Sequence, residues 1–302
     1  MCLGRIISRS LLVLVMATAV LFSSANPTLY DQPSALQLES SIATQYHLDF
    51  DKVREKGPYL NTKAAVLVNY ENGEVLYNRR GDRVRPIASI SKLMTAMVVL
   101  DLDLDLDCAE IVTRQDARRS STSRLARGTE WTLRDLLHAM LMNSDNRAAR
   151  AVARATYGSI ELFAAAMNEK AQRLGLDNTH FVEPSGLDSR NVSTAVEVAR
   201  MLHHACDYPL IAEIAKKKTY TARALNRKNW QRRFINTNRL LWSPYRVQAG
   251  KTGYIRDADY CLATLVSNPV GERLTLVVLG VPGDRLRFRE AQRLLRWGFR
   301  VI

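Results

Sequence analysis

Ser89 stands three residues ahead of Lys92 in the run Pro86-Ile87-Ala88-Ser89-Ile90-Ser91-Lys92-Leu93-Met94-Thr95-Ala96-Met97. On a helix, positions i and i+3 share a face, so the serine hydroxyl and the lysine ammonium can meet across one turn. That pairs a nucleophile with a base. A serine hydroxyl attacks poorly until a neighbour takes its proton, and lysine can do so only with its pKa near neutrality. The required drop, from about 10.4 to about 7, corresponds to ~4–5 kcal/mol against the charged form. Burial or a nearby cation must supply it, so the rest of the chain has to enclose Lys92.

The surrounding pattern sets out the elements that would do this. Residues 63–70 are β-rich, Glu71-Asn72-Gly73 carries a hairpin signal, and 74–80 return as a second strand. A helix follows Ser89. Asp101, Asp103, Asp105 and Asp107 alternate with leucines, but a calcium loop would want glycine where Leu106 stands and glutamate where Val112 stands. The segment therefore reads as a helix end with solvated carboxylates. Thr132 with Asp135 has capping-box-like spacing and opens a helix to 142; Asn143-Ser144-Asp145-Asn146 forms a polar corner before a second helix to 156. Further helices are expected from Ser159 to the Leu174-Gly175 cap and from Thr194 with Glu197 to about 206, before Pro209. Strands are expected at 218–222, 233–237, 247–254, 260–267 and 273–279, with a turn at Asn268-Pro269-Val270-Gly271, and a last helix at 284–299. Strands at both ends around a helical middle, about 85–215, predict an α+β fold: one antiparallel sheet closed by the termini and flanked by helices and a helical subdomain.

Composition assigns an address. Residues 1–25 carry only Arg5 and Arg9 as charges, then an apolar stretch at 11–22 and the small residues Ser23-Ser24-Ala25. The stretch is short for a membrane span, so a signal peptide cleaved near Ala25 is expected, followed by a leader at 26–59 and one catalytic unit at 60–302. The formal charge of +13 becomes +11 without Arg5 and Arg9. An exported basic chain fits an anionic envelope polymer, with peripheral contact to an anionic envelope surface, rather than nucleic acid. Arg285, Arg287, Arg289, Arg293, Arg296 and Arg300 of the last helix read as a solvated face. Cys108, Cys206 and Cys261 are an odd number in the exported chain, so at least one is unpaired within a monomer.

Three motifs occur in one order: Ser89-x-x-Lys92, Ser144-Asp145-Asn146 and Lys251-Thr252-Gly253. Ser-x-Asn also occurs at Ser24 and Ser189, but only Ser144 sits at a helix-to-helix corner between the other two motifs. The ordered set, on helix, corner and strand, is the signature of penicillin-recognising serine enzymes. With these motifs, over about residues 60–300, the chain resembles the low-molecular-mass penicillin-binding proteins, serine D-alanyl-D-alanine peptidases of the S11 type. The 86–101 segment, Phe181-Val182-Glu183-Pro184-Ser185-Gly186-Leu187 and Asn236-Thr237-Asn238 are most similar to the short DD-endopeptidase branch, penicillin-binding protein 7. Only 49 residues follow Gly253, enough for two strands and a helix.

The resemblance implies an acyl-enzyme on Ser89, with Lys92 accepting its proton. It implies an oxyanion hole from the backbone N–H groups of Ser89 and Tyr254, and proton relay to the leaving amine by Ser144. Asn146 would hold the substrate amide and orient Lys92. Lys251 would bind the substrate or penicillin carboxylate and, as a second cation, depress the Lys92 pKa; Thr252, beside Gly253, would bind the same carboxylate. The implied substrates are peptidoglycan stem peptides, with β-lactam antibiotics as covalent inhibitors, and the implied place is a periplasm. No cofactor or metal is expected: there is no HExxH, and adjacent His203 and His204 cannot share a helix face as ligands. A DD-carboxypeptidase, a class A β-lactamase using Glu183, and a non-catalytic wall-binding protein stay open as alternatives.

Overall fold

The computed structural model describes residues 47–50, 53, 57–117 and 123–302. The signal peptide expected at 1–25 and most of the leader expected at 26–59 lie outside the described residues. Where the leader is described it docks on the first hairpin: Leu48 is buried, and Val75 N donates to Asp49 O at 2.9 Å.

The hairpin comprises β1 (Ala64–Asn69) and β2 (Val75–Arg79), joined by a turn in which Gly73 adopts φ +71°. After the short β3 (Arg85–Pro86), a 3-10 turn spans Ala88–Ser91 and leads into α1 (Lys92–Leu100). Ser89 thus lies in the turn, and Lys92 is the first residue of the helix. Next come β4 (Ala109–Ile111), β5 (Glu130–Thr132), α2 (Leu133–Met142), α3 (Asn146–Tyr157), α4 (Ile160–Arg173), β6 (Val192–Ser193) and α5 (Ala195–Cys206). The expected caps are present: Thr132, Ser159 and Thr194 accept from the N–H groups of Asp135, Leu162 and Glu197. Pro209 ends nothing but opens α6 (Pro209–Lys216), where its missing N–H has no helical partner to lose. The chain closes with β7 (Thr219–Arg223), β8 (Gln231–Ile235), β9 (Arg246–Ile255), β10 (Asp259–Ser267), β11 (Arg273–Val281) and α7 (Asp284–Gly298).

The main sheet is antiparallel in the order β2-β1-β11-β10-β9, so the last strand lies between the first and the tenth. Its apolar residues alternate between two cores. Ala64, Val66, Val68, Ala263, Leu265, Val277 and Leu279 face the helical body, while Ala65, Leu67, Leu262, Leu276 and Val278 face α7. Helices on both faces explain why β10 and β11 read as continuous apolar runs. β7 and β8 do not join this sheet; among the described residues they pair only with each other. Their alternation leaves Thr219, Thr221, Arg223, Gln231, Arg233 and Ile235 exposed and buries only Ala222 and Phe234, a pattern that cannot be covered on two faces.

The carboxylates after α1 are not all solvated: Asp101 pairs with Lys170 at 2.8 Å and accepts from Tyr208. Among the described residues no group of His, Cys, Asp or Glu is arranged to hold a metal ion. His203 and His204 are buried packing residues; burial first, then each one's neighbouring cations, lowers both to about 4. Cys206 and Cys261 are free thiols.

Candidate active site

Lys92 is wholly buried, and three oxygens surround its Nζ. It lies 2.9 Å from Ser89 Oγ and donates to Asn146 Oδ1 at 2.7 Å and to Ser185 O in a close contact. Burial lowers its pKa to about 7; Glu183 and Asp145 oppose the shift, and Arg150 adds to it. A neutral amine carries two N–H groups and one lone pair. Two of the surrounding oxygens, the Asn146 amide and the Ser185 carbonyl, can only accept. The lone pair is then left for the third, the Ser89 hydroxyl. The coordination shell of Lys92 therefore suits the free base at the moment it takes the serine proton.

Burial does most of the work at Lys92, and Arg150, from α3, adds to it. Burial and then Lys92 and Arg287 push Lys251 well below its ordinary value, and because repulsion between two cations is mutual, each lysine disfavours charge on the other. Lys251 Nζ donates to Ser144 Oγ at 2.9 Å and to Thr252 O at 2.9 Å. The Thr252 hydroxyl meets that of Thr237 at 2.6 Å. Ser89, Ser144, Asn146, Thr252, Gly253 and Tyr254 line a single cleft of about 730 Å³. Lys92 and Lys251 reach it through Ser89 and Ser144.

The backbone delivers these groups under constraint. Ala88, just before the serine, has φ +49°, and Ser144 has φ +58°. Both are left-handed positions in non-glycine residues, which cost roughly 1 kcal/mol or more apiece. Asp145 is not an exposed corner residue. Buried at the start of α3, it accepts from Arg147 N and Ala148 N as the N-cap and from Ser123 Oγ and Arg124 N of the cleft rim. Gly253 brings β9 against the serine turn so closely that a Cβ there would lie 2.9 Å from Ile87 O and 3.2 Å from Ser89 N. The neighbouring amide of Tyr254 is thereby carried to the rim beside Ser89. The Tyr254 ring is half exposed and stacks on Tyr260 at 4.2 Å.

Two contributors escaped the sequence reading. The first is the loop 182–191, which supplies the Ser185 carbonyl. Glu183 clamps it by accepting from Ser185 N and Leu187 N, both at 2.8 Å. Buried Asn191 binds Val182 N, Glu183 O and Ser91 Oγ. A backbone acceptor leaves no trace in a sequence, although the buried Asn and the Glu-Pro-Ser-Gly turn around it do. The second is Arg287. It is not part of a solvated face: it is buried, donates to Gly253 O at 3.0 Å and Cys261 O at 3.2 Å, and lines the cleft. Asp284 holds its other end at 2.7 Å.

With this geometry in view, the chain matches the family described as D-alanyl-D-alanine carboxypeptidase, of the S11 peptidases, over residues 51–283. It is 40% identical over 244 residues to a D-alanyl-D-alanine endopeptidase of Pseudomonas aeruginosa, covering 79% of this chain and 77% of that one. To the D-alanyl-D-alanine endopeptidase of Escherichia coli it is 38% identical, covering 80% and 78%. Among solved structures it resembles the Streptomyces K15 DD-transpeptidase at a TM-score of 0.75 and 27% identity, covering 81% of this chain and 99% of that one.

Proposed function

The chain belongs to the S11 family of D-alanyl-D-alanine peptidases, and on that premise we propose that it cleaves D-alanyl cross-links between stem peptides as an endopeptidase, through an acyl-enzyme on Ser89. The protein is a serine DD-peptidase with peptidoglycan as its substrate. The observation that carries the mechanism is the buried Lys92, 2.9 Å from Ser89 Oγ, with its pKa lowered to about 7.

In the proposed cycle Lys92 takes the Ser89 proton as Oγ attacks the D-alanyl carbonyl. The N–H groups of Ser89 and Tyr254 receive the oxyanion, each such donor being worth about 3 kcal/mol. Ser144, held by Lys251, passes its proton to the leaving amine and takes in its place the one Lys92 gained, so C–N cleavage leaves the acyl group on Ser89 and Lys92 neutral. Water then attacks the acyl carbon, Lys92 takes the water's proton and returns it to Ser89 Oγ as the ester bond breaks. Thr252 and Lys251 receive a carboxylate of the substrate, or that of a β-lactam, which we propose acylates the same serine.

The endopeptidase assignment is supported by the 40% and 38% identity to the endopeptidases of Pseudomonas aeruginosa and Escherichia coli, against 36% to the Escherichia coli carboxypeptidase DacC, and by coverage of 77% and 78% of those endopeptidases against 63% of DacC. Glu183 weighs against the β-lactamase alternative. Its carboxylate is engaged by Ser185 N, Ser185 Oγ and Leu187 N and so is committed to holding the loop. We further propose that the enzyme works in the periplasm after cleavage near Ala25, which N-terminal sequencing of the secreted protein tests. The decisive experiment is digestion of purified cross-linked muropeptides with Ser89→Ala as control. Conversion of dimers to monomers by the native protein alone supports the proposal; release of terminal D-alanine with dimers intact assigns a carboxypeptidase.

A further inference from the structure

The hairpin of β7 and β8 carries Arg223, Arg227, Lys228, Arg232 and Arg233 and not one carboxylate between residues 219 and 235. None of the five cations forms an ion pair among the described residues. Arg227 and Arg232 both pack on the Trp230 ring, at 5.1 and 4.1 Å from its centroid, so two like charges share one rigid plane. The tip encloses a depression of about 560 Å³ lined by residues 223–231. It is also fixed in place: Leu225 N donates to Glu130 O, Glu130 N to Asn226 Oδ1, and Asn226 Nδ2 to Gly128 O. A pre-ordered cluster of unpaired cations is a surface prepared for an anion.

Its position says which anion. Arg232 Nε donates to the carbonyl of Arg124, whose residue lines the catalytic cleft. β8 runs from the tip toward Thr237, which bonds Thr252. The six steps of chain from Gln231 to Thr237 span about 20 Å when extended. That is the side where Ser144, Lys251 and Thr252 receive the leaving group. A departing single amino acid reaches only about 3.5 Å. A departing stem peptide with its glycan is long enough to reach the tip, and it bears free carboxylates.

We propose that the basic face of the β7–β8 hairpin is the docking surface for the leaving strand of a cross-linked substrate, held through that strand's carboxylates. The proposal rests on the endopeptidase reading and names how that activity would engage its second strand. A carboxypeptidase would have no use for such a surface.

The test compares native protein with Arg227→Glu/Lys228→Glu and with the milder Arg227→Gln/Lys228→Gln. All four substitutions are on exposed side chains of the tip. Three substrates are used: a cross-linked muropeptide dimer, a single-stranded acyl-D-alanyl-D-alanine peptide, and a fluorescent penicillin. For the dimer, KM should rise about fivefold or more with charge reversal and less with neutralisation, and the effect should shrink in high salt. The small peptide and the penicillin should react as with native protein. An unchanged KM for the dimer overturns the proposal, as does an equal loss on all three substrates. So does lost sedimentation with phosphatidylglycerol-containing vesicles while dimer kinetics stay native, which would assign the patch to a membrane. Failure of the native protein to cut the dimer would remove the endopeptidase reading itself, and it would be seen before any variant is compared.

Discussion

Lys92 Nζ donates to Asn146 Oδ1 at 2.7 Å, so the lysine proposed as base, on α1, is oriented by a residue that begins α3. Asn146→Ala removes one of the two acceptors that leave the lysine lone pair for Ser89. Acylation by labelled penicillin should fall about 10- to 100-fold while the protein stays folded. Asn146→Asp should do something different. A carboxylate at that distance favours the ammonium, raises the Lys92 pKa and moves the acid limb of the rate profile to higher pH. Identical profiles for the two variants would contradict the assigned role.

The pH dependence of the native enzyme follows from the same lysine. With a pKa of about 7 in the fold, the free base is scarce below neutrality and dominant above it. Acylation should fall about tenfold per pH unit on the acid side and level off above roughly pH 7.5. Rapid-mixing measurements with a fluorescent penicillin check this. A limb still rising near pH 10 would mean that Lys92 reacts as an ordinary lysine.

Stability should depend on Lys92 in the opposite sense. Its folded pKa, about 7, lies below the unfolded value. Above the unfolded value, near 10.4, both states are neutral and no penalty exists; as pH falls the unfolded chain gains a proton first, and the cost reaches its full size below about 7. Lys92→Met should therefore raise Tm at acid and neutral pH, and the gain should narrow toward pH 10. The same variant should not acylate. Thermal unfolding of both proteins at several pH values decides it; a Met variant less stable than native at pH 6 would show that the hydrogen bonds of Lys92 outweigh its burial.

Gly186 ties the loop 182–191 to the serine turn. Its φ is +77°, and a Cβ there would come within 2.0 Å of Ala88 O and 2.8 Å of Ser89 N. Backbone atoms cannot swing away as a side chain would. Gly186→Ala should cost several kcal/mol or displace Ser89, and both outcomes suppress acylation. Native acylation together with native Tm would show that the loop and turn are not coupled.

The three motifs were legible because each joins a side chain to a recognisable context: a serine and lysine one turn apart, a polar corner between helices, a lysine on an apolar strand. The helix caps at Thr132, Ser159 and Thr194 were legible for the same reason. What escaped depends on distant contacts. Nothing in the arginine spacing of α7 singles out Arg287, because its burial is decided by carbonyls of β9 and β10. Nor does the lysine pair reveal that Arg150 of α3 also lowers the Lys92 pKa. β7 and β8 read correctly as strands, but their half-exposed alternation, visible in the sequence, was the clue that they stand apart from the main sheet.

The sheet order has a consequence in time. β11 lies between β1 and β10, and Arg287, six residues beyond it, anchors the strand that carries Lys251. As the chain folds, β1 and β2 can pair with each other, but their link to β9 and β10 awaits β11 and α7. Ser89 has no assembled partner strand until then. The polypeptide is thus its own zymogen while it folds: acylation competence should arrive abruptly once residues 273–298 have joined.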